Sequence, residues 1–529
     1  MSENRNDKKK SSFLSFVEKR GNALPHPASL FGLFAIIVLI ISLIGHLLNW
    51  HALHPATGEI IRIENLLSKE GLHRILLEMV TNYTSFAPLG IVMVAILGIG
   101  IAESSGLVSS AIRLLVFKSP AKIITFVVVL AGILSNMASD LGYVLVIPMG
   151  AVIFHSLGRH PIAGMAAAFA GVSAGFSANL FIGPIDPLLA GISTEAANIL
   201  DESCYVLPTA NYYFMFVSTF ILAFAGTWVT DRFVEPRLGK YTGDVIPDPM
   251  EPLSPNEKKG LKRVLIVTGI FILLIAIGLI PENGILRGPD NSIFKSPVLK
   301  GFIAILFIMA SVMGIVFGVT TGKFKSDSDV VNGMVDNLKS LATFLVLVFF
   351  AAQFVAYFKW SNLGLIIAVK GADLIQTLNM GLIPLVILFT FLAGFINMFM
   401  GSASAKWAII GPVFIPMFML LGYSPELSQV VFRIGDSVTN VISPMMSFFA
   451  LIIVYYEKYD KKAGIGTLIS TMLPYSIAFY IFWTFLIVIW IVFNFPLGPD
   501  AGLFYHGGKI RIRSARELFL LYSTQKADM

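Results

Sequence analysis

Apolar runs of about 17 to 25 residues, the length that crosses a hydrocarbon core, recur at 29–50, 86–102, 214–229, 264–280, 301–320, 341–358, 380–400 and 474–495. Backbone groups in lipid must be satisfied within the segment, so these runs predict helices rather than open strands. One stretch departs from the pattern. In "INMFMGSASAKWAIIGPVFIP", 396–416, the apolar run is broken by Asn397, Gly401, Ser402, Ser404, Lys406 and Trp407, and then by Pro412 and Pro416. Irregular backbone at membrane depth is tolerated only where protein or a water-filled cavity covers it. Residues 401–422 therefore predict a re-entrant hairpin, with a tight small-residue helix crossing as the competing reading.

The first half contains a counterpart. "SNMASDLGYVLVIPMGAVIFHSLGRHP", 135–161, also opens on Asn-Met, with Asn136 where the later segment has Asn397. Each segment sets a proline ten residues before a glycine and thirteen before a second proline: Pro148, Gly158 and Pro161, then Pro412, Gly422 and Pro425. Each is followed by a run ending in Ser, Asn and Pro: Ser177, Asn179 and Pro184, then Ser437, Asn440 and Pro444. Paired Gly/Pro interruptions in corresponding positions of two halves point to the midplane site of a secondary transporter. Helix N-termini at such breaks suit an anion, and freed carbonyls suit a cation.

The expected fold is an all-α polytopic membrane protein of about nine transmembrane helices plus two re-entrant helical hairpins, arranged as inverted repeats. The expected parts are an N-terminal tail at 1–28 and a first transmembrane half at 29–230, with hairpin 1 near 136–160. A linker at 231–263 leads to a second half at 264–495, with hairpin 2 near 401–422, and a polar C-terminal tail at 496–529.

Composition supports lipid as the solvent: 56% of residues are hydrophobic and 13% charged, against roughly 25% charged in soluble domains. The basic excess reads as topology. Lys8, Lys9, Lys10, Lys19 and Arg20 precede the first run, and Arg232, Arg237, Lys240, Lys258, Lys259, Lys262 and Arg263 crowd the linker. Both segments are expected in the cytoplasm, as is 323–339, and nucleic acid is a poor partner for so apolar a chain. Lys458, Lys461 and Lys462 flank the last apolar run on one side and Lys509, Arg511, Arg513 and Arg516 on the other, which leaves the side of the C-terminus undecided. The single cysteine, Cys204, excludes a disulfide framework and a clustered thiolate site.

Ionisable groups inside spans are functional candidates. Arg433, Asp436, Ser437 and Asn440 share one helix face. Either Arg433 and Asp436 form a structural pair one turn apart, or Arg433 offers its fork to a carboxylate with Asp436 as counter-ion or proton site. Asp186 lies between Pro184 and Pro187, where an apolar setting would favour a proton-binding carboxyl; capping a helix or sitting in a surface loop is the alternative. Ser139 and Asp140 are weaker candidates near the first tip. Trp407 reads as an interfacial belt residue or as a stacking platform beside the tip. Lys406 either snorkels or attracts anions. No nucleotide-binding loop is present, since "GVTTGKF" at 318–324 lacks the spacing and the Mg²⁺ hydroxyl. No H-E-x-x-H occurs, and the eight histidines do not cluster at metal-ligand spacing. Without an ATP site in this chain, uphill transport has to draw on an ion gradient.

"VEKRGNALPHPASLF" at 17–31, "GIGIAESSGL" at 98–107, "GSASAKWAIIGPVFIPMFMLLGYSPE" at 401–426 and "RIGDSVTNVISPMM" at 433–446 resemble the p-aminobenzoyl-glutamate transporter (AbgT) family from about residue 17 to about residue 500. The resemblance implies a homodimer in the bacterial inner membrane, with scaffold and transport parts in each subunit. It also implies p-aminobenzoyl-glutamate as substrate and, in some members, sulfonamide export with antibiotic resistance. It places functional positions on Asp186, Ser404, Trp407, Pro425, Arg433, Asp436 and Pro444, beside Asn179 and Asn440 of the repeated runs. No resident cofactor is expected. The coupling ion stays open, because Asn136 and Asn397 suit Na⁺ whereas Asp186 and Asp436 suit H⁺. A sodium-coupled dicarboxylate symporter is the alternative, and transport direction is open.

Overall fold

The computed structural model describes residues 27–53, 60–117, 119–138, 141–243, 245, 252–293 and 296–505. The expectations for 1–26, for Ser139 and Asp140, and for the basic residues Lys509 to Arg516 lie outside the described residues.

The chain opens with α1 (Pro27–Leu47), a short antiparallel pair β1 (His51–Leu53) and β2 (Ile60–Arg62), then α2 (Lys69–Thr84), α3 (Ala87–Ser104) and α4 (Leu107–Phe117). The first repeat follows: α5 (Ile124–Ser135), α6 (Gly142–Ser156), α7 (Pro161–Ala174) and α8 (Ile185–Ala197). Next come α9 (Tyr212–Val229), α10 (Pro255–Leu279), α11 (Phe302–Thr321), α12 (Asp327–Ser340), α13 (Ala342–Trp360) and α14 (Leu363–Thr377). The second repeat is α15 (Leu382–Asn397), α16 (Ala403–Leu420), α17 (Pro425–Val438) and α18 (Phe449–Tyr459), and α19 (Ile465–Val492) follows it. Among the described residues eight helices are long and apolar enough to span a membrane, or up to nine if the pair Leu107–Val116 and Ala121–Ser135, bent by 110°, is one span.

The repeated Gly and Pro spacing has a local cause. Pro148 and Pro412 lie within α6 and α16. Gly158 and Gly422 then take φ of 72° and 86°, the left-handed geometry that ends a helix and that glycine adopts without a Cβ penalty. Pro161 and Pro425 occupy the first turn of the next helix, where the missing N–H is not needed. The preceding residue caps it each time: His160 Nδ1 accepts from Ile162 N at 3.2 Å, and Ser424 Oγ accepts from Leu427 N at 3.2 Å. Burial pushes the His160 imidazole pKa down against the pull of Glu235 and Asp460, which keeps Nδ1 available as an acceptor.

This shifts both hairpins relative to expectation. Residues 403–420 form one helix, not a hairpin, and the tip is 398–402, with the run at 380–400 supplying the entering arm α15. The first hairpin likewise pairs α5 with α6 around 136–141. The Gly–Pro signature marks the turn at the open end of each hairpin, not its tip.

Small residues let the entering arm of each hairpin meet the helix that follows the hairpin backbone to backbone. A Cβ on Gly171 of α7 would lie 2.2 Å from Val129 O of α5, and one on Gly435 of α17 would lie 2.2 Å from Thr390 O of α15. The same crossing is thus built in both repeats.

The hairpins enter from opposite ends of the bundle. The first hairpin's turn is held by Arg159, whose Nη2 is 2.7 Å from Asp231 Oδ1 and which also pairs with Glu235. Tyr241 of this end meets Tyr459, and Arg237 Nη1 donates to Ser470 O at 3.2 Å. The second hairpin's turn instead meets the segment after α19: Ser424 N donates to Leu503 O at 3.0 Å and Tyr505 N to Gly422 O at 2.9 Å. The 28 residues of α19 span about 42 Å at 1.5 Å per residue between these ends. The described C-terminal segment to Tyr505 therefore lies at the end opposite the basic linker.

Gly171→Ala and Gly435→Ala are each expected to destabilise the purified protein, on the overpacking scale of about 1–3 kcal/mol. Gly269→Ala, where a Cβ meets nothing within 4 Å, is expected to be neutral or stabilising by up to about 1 kcal/mol. Thermal unfolding compares the three, and equal melting temperatures would show that the crossings relax freely.

Candidate functional site

The polar residues that interrupt the apolar runs converge where the hairpins meet the breaks after α7 and α17. Lys406 and Asp436 are each 1% exposed, and Lys406 Nζ lies 2.5 Å from Asp436 Oδ1. The ammonium also donates to Asn397 Oδ1, the last residue of α15. Asn397 Nδ2 has three acceptors at 2.6 to 2.8 Å: Asp436 O, Thr439 Oγ1 and Asn440 Oδ1. Ser443 Oγ donates to Asn397 O at 3.1 Å. The second tip is therefore fastened to the end of α17 and to the 3₁₀ turn after it.

The second charge pair crosses between repeats. Arg433 Nη2 of α17 lies 2.7 Å from Asp186 Oδ1 in the first turn of α8 and 2.8 Å from Ser177 O. Asp186 Oδ2 accepts from Gly183 N at 2.7 Å. Asn440 Nδ2 donates to Ser173 O at 3.2 Å, a carbonyl in the π-helical turn Ala170–Ala174. Of the two readings of the α17 stripe, the Arg433–Asp436 pair does not form: each charge takes its partner from another helix. Asp186 is likewise not the isolated carboxyl expected in an apolar setting, because both oxygens are engaged.

Trp407 is fully buried, which overturns its reading as an interfacial belt residue. Its ring stacks on Phe432 at 4.5 Å and 22°, and its Nε1 donates to Ser193 Oγ at 2.9 Å. Ser193 Oγ in turn donates to Gln429 Oε1 at 2.6 Å, and Gln429 Nε2 donates to Asn211 Oδ1 at 2.8 Å. Lys406 is buried as well, so it does not snorkel.

The structure thus brings together Asp186, Trp407, Arg433, Asp436, Asn397 and Asn440. Asn136 and Asn179 lie at the first tip and the first break, beside Gly183. Ser404 is half-buried, with its Oγ 3.2 Å from Ser402 Oγ. Pro425 starts α17, and Pro444 is half-buried in the break after it. Sequence reasoning missed Ser193, Asn211 and Gln429. Gln429 carried a usable signal, since it stands four residues before Arg433 and extends the same helical stripe; Ser193 and Asn211 carried none. Arg433 Nε and Ser437 Oγ are among the buried polar atoms here with no hydrogen-bond partner among the described residues, as are the amide oxygens of Asn136 and Asn179. The first two leave one guanidinium edge and one hydroxyl able to meet a polar ligand.

A family model described as the "AbgT putative transporter family" matches residues 12–505. The chain is 37% identical over 485 residues to the p-aminobenzoyl-glutamate transport protein of Escherichia coli K12, covering 92% of this chain and 95% of that protein. The crystal structure of the Alcanivorax borkumensis YdaH transporter, described as having an unusual topology, superposes with a TM-score of 0.85 at 43% identity, over 90% of this chain and 100% of that one. The Neisseria gonorrhoeae MtrF structure, which illuminates a class of antimetabolite efflux pumps, superposes with a TM-score of 0.87 at 48% identity, over 92% and 100%.

Removing one member of a buried ion pair leaves the other charge uncompensated, at a cost of about 3–5 kcal/mol, whereas replacing both is often neutral. Lys406→Met and Asp436→Leu are each expected to lower the melting temperature sharply, and the double variant to recover most of the loss. Additive losses in the double variant would show that the two residues do not act as a pair.

Proposed function

Given that the chain belongs to the AbgT transporter family, we propose that it is an ion-gradient-coupled secondary transporter of p-aminobenzoyl-glutamate and related aromatic anions. It is a multi-pass protein of the bacterial inner membrane and acts by transport. In the proposed cycle p-aminobenzoyl-glutamate crosses at the break between the repeats, with H⁺ or Na⁺ moving down its gradient. Sulfonamide antimetabolites are a second cargo class, by analogy with MtrF. A homodimer is part of the proposal; α10, only 17% buried in this chain over its apolar window, presents a large apolar face to lipid or to a second copy.

The observation that carries the reading is Arg433. Its Nη2 is committed to Asp186 and Ser177, while its Nε has no acceptor among the described residues. A guanidinium with a donor to spare, at a break in the helices, is suited to a substrate carboxylate. Trp407 supplies the complement for an aryl ring. One face rests on Phe432, and Gly411, one turn further along α16, adds no side chain beside the indole. Substrate carboxylate competing with Asp186 for Arg433 is a direct way for binding to loosen the link between α17 and α8.

The test is purified protein in liposomes with labelled p-aminobenzoyl-glutamate and independently imposed proton and sodium gradients. Accumulation that follows one gradient is the expected outcome, and equilibration indifferent to both would remove the coupled-carrier reading. Arg433→Ala is expected to abolish accumulation. Trp407→Ala is expected to weaken aromatic substrates by about 0.5–1.5 kcal/mol more than non-aromatic dicarboxylates. Equal losses for both substrate types would remove the stacking role. Preferential sodium-driven uptake of dicarboxylates would favour the alternative symporter.

A further inference from the structure

The indole of Trp407 heads a chain of buried side chains that ends on the backbone. Trp407, Ser193, Gln429 and Asn211 are each no more than 2% exposed, and they come from α16, α8, α17 and the residue that caps α9. Beyond the bonds already described, Asn211 Nδ2 donates to Glu426 O, in the first turn of α17, at 3.0 Å.

The chain runs in one direction only. An indole N–H donates and never accepts, so Ser193 Oγ accepts from it and places its own proton on Gln429 Oε1. That turns the Gln429 amino group toward Asn211 Oδ1, which leaves the Asn211 amino group for Glu426 O, an atom that can only accept. A donor-only head and an acceptor-only tail thus fix both amide orientations between them. Every side-chain polar atom along this run is paired, and a fully satisfied buried network is rigid and specifies one arrangement.

The chain and the Phe432 stack restrain different motions of the indole. The bond from Nε1 lies in the ring plane and stops the ring turning within it, whereas Phe432, at 4.5 Å and 22°, stops it tilting. Gln429, Phe432 and Arg433 stand at i, i+3 and i+4 on α17, so one helix face supplies both restraints and the guanidinium fork. Asn211 ties the first turn of that helix to the start of α9. Because Nε1 is committed to Ser193, a substrate ring meets Trp407 through its π-system alone.

We propose that Ser193 and Gln429, with Asn211 behind them, are positioning residues for substrate recognition: they hold the Trp407 ring where an aryl carboxylate is read, without touching that substrate. The proposal rests on the reading of Trp407 as the aryl platform. It places part of the aromatic selectivity in side chains whose own chemistry has no affinity for a ring.

The experiment combines transport with a direct view of the indole. KM and kcat for p-aminobenzoyl-glutamate are measured in liposomes for wild type, Ser193→Ala, Trp407→Phe and the double variant. N-acetyl-glutamate, which keeps the dicarboxylate and lacks the ring, serves as competitor. Ser193→Ala is expected to raise KM roughly three- to tenfold, with kcat and the competitor's inhibition constant within about twofold of wild type. In the Trp407→Phe background, which has no indole N–H to hold, the same substitution is expected to change KM by less than about twofold. Ser193→Thr, which keeps the hydroxyl, is expected to retain most of the wild-type KM. A merely structural role would weaken both ligands alike and act equally in both backgrounds, and either result overturns the proposal.

In ¹⁵N-tryptophan-labelled full-length protein, the Trp407 indole resonance is identified by its loss in Trp407→Phe. It is expected to shift in Ser193→Ala and, by less, in Gln429→Met, which keeps the side-chain length and removes the amide. Gln429→Met carries the test if Ser193→Ala loses its monodisperse elution. An unmoved resonance overturns the positioning role whatever the protein transports. Failure of wild type to move p-aminobenzoyl-glutamate would sink the carrier reading instead, and a KM indifferent to Trp407→Ala would remove the platform. A wild-type KM in Ser193→Ala beside a raised KM in Trp407→Ala would overturn the proposal and leave both readings standing.

Discussion

Two ion pairs removed from water hold the centre of this protein: Lys406 with Asp436, and Arg433 with Asp186. An ion taken out of water carries a penalty of several kcal/mol that only close opposite charge and further hydrogen bonds offset. Each pair therefore fixes the helices that supply it. Lys406–Asp436 ties the returning arm of the second hairpin to α17, and Arg433–Asp186 ties α17 to α8 of the other repeat. Helices whose outer faces meet only lipid gain little from hydrophobic burial against one another, so these polar contacts set their registration.

Helix α17 is shared by both halves. Its stripe of Gln429, Arg433, Asp436 and Ser437 is buried throughout, and successive members reach different elements. Gln429 serves the Trp407–Ser193 chain, Arg433 the first break, and Asp436 the second hairpin. The first repeat answers with backbone. The π-helical turn at Ala170–Ala174 displaces carbonyls from the ordinary helical ladder, and Ser173 O and Ser177 O accept from Asn440 and Arg433. Irregular backbone in one repeat thus satisfies polar side chains in the other, which is how broken helices persist at membrane depth.

The legible parts of the fold were those written in local terms. Span length and hydropathy predicted the long helices, and the Gly–Pro spacing predicted the repeat, because each signal acts within a few residues of where it is written. The hairpin tips were misplaced because a left-handed glycine and a helix-starting proline mark turns of every kind, and here they mark Gly158–Pro161 and Gly422–Pro425 at the open ends. The stripe on α17 was legible as a face. Its pairing was not, since Asp436 stands one turn from Arg433 in sequence while the true partners come from α8 and α16. Trp407 was ambiguous for the same reason: indole suits an interface and an interior alike, and only the position of Ser193 and Phe432 decides between them.

A chain whose two halves enter from opposite ends can exchange their conformations and arrive at a second arrangement that presents the other face, using the same kinds of local contact. The energy difference between those arrangements comes from what the halves do not share. Aligned on their prolines, Lys406 stands against Gly142, Asp436 against Val172 and Arg433 against Phe169. The charged residues of the centre are thus also the places where the pseudo-symmetry is broken. A perfectly symmetric pair of repeats would make the same contacts at both ends, and these three positions are where the two ends of this molecule differ.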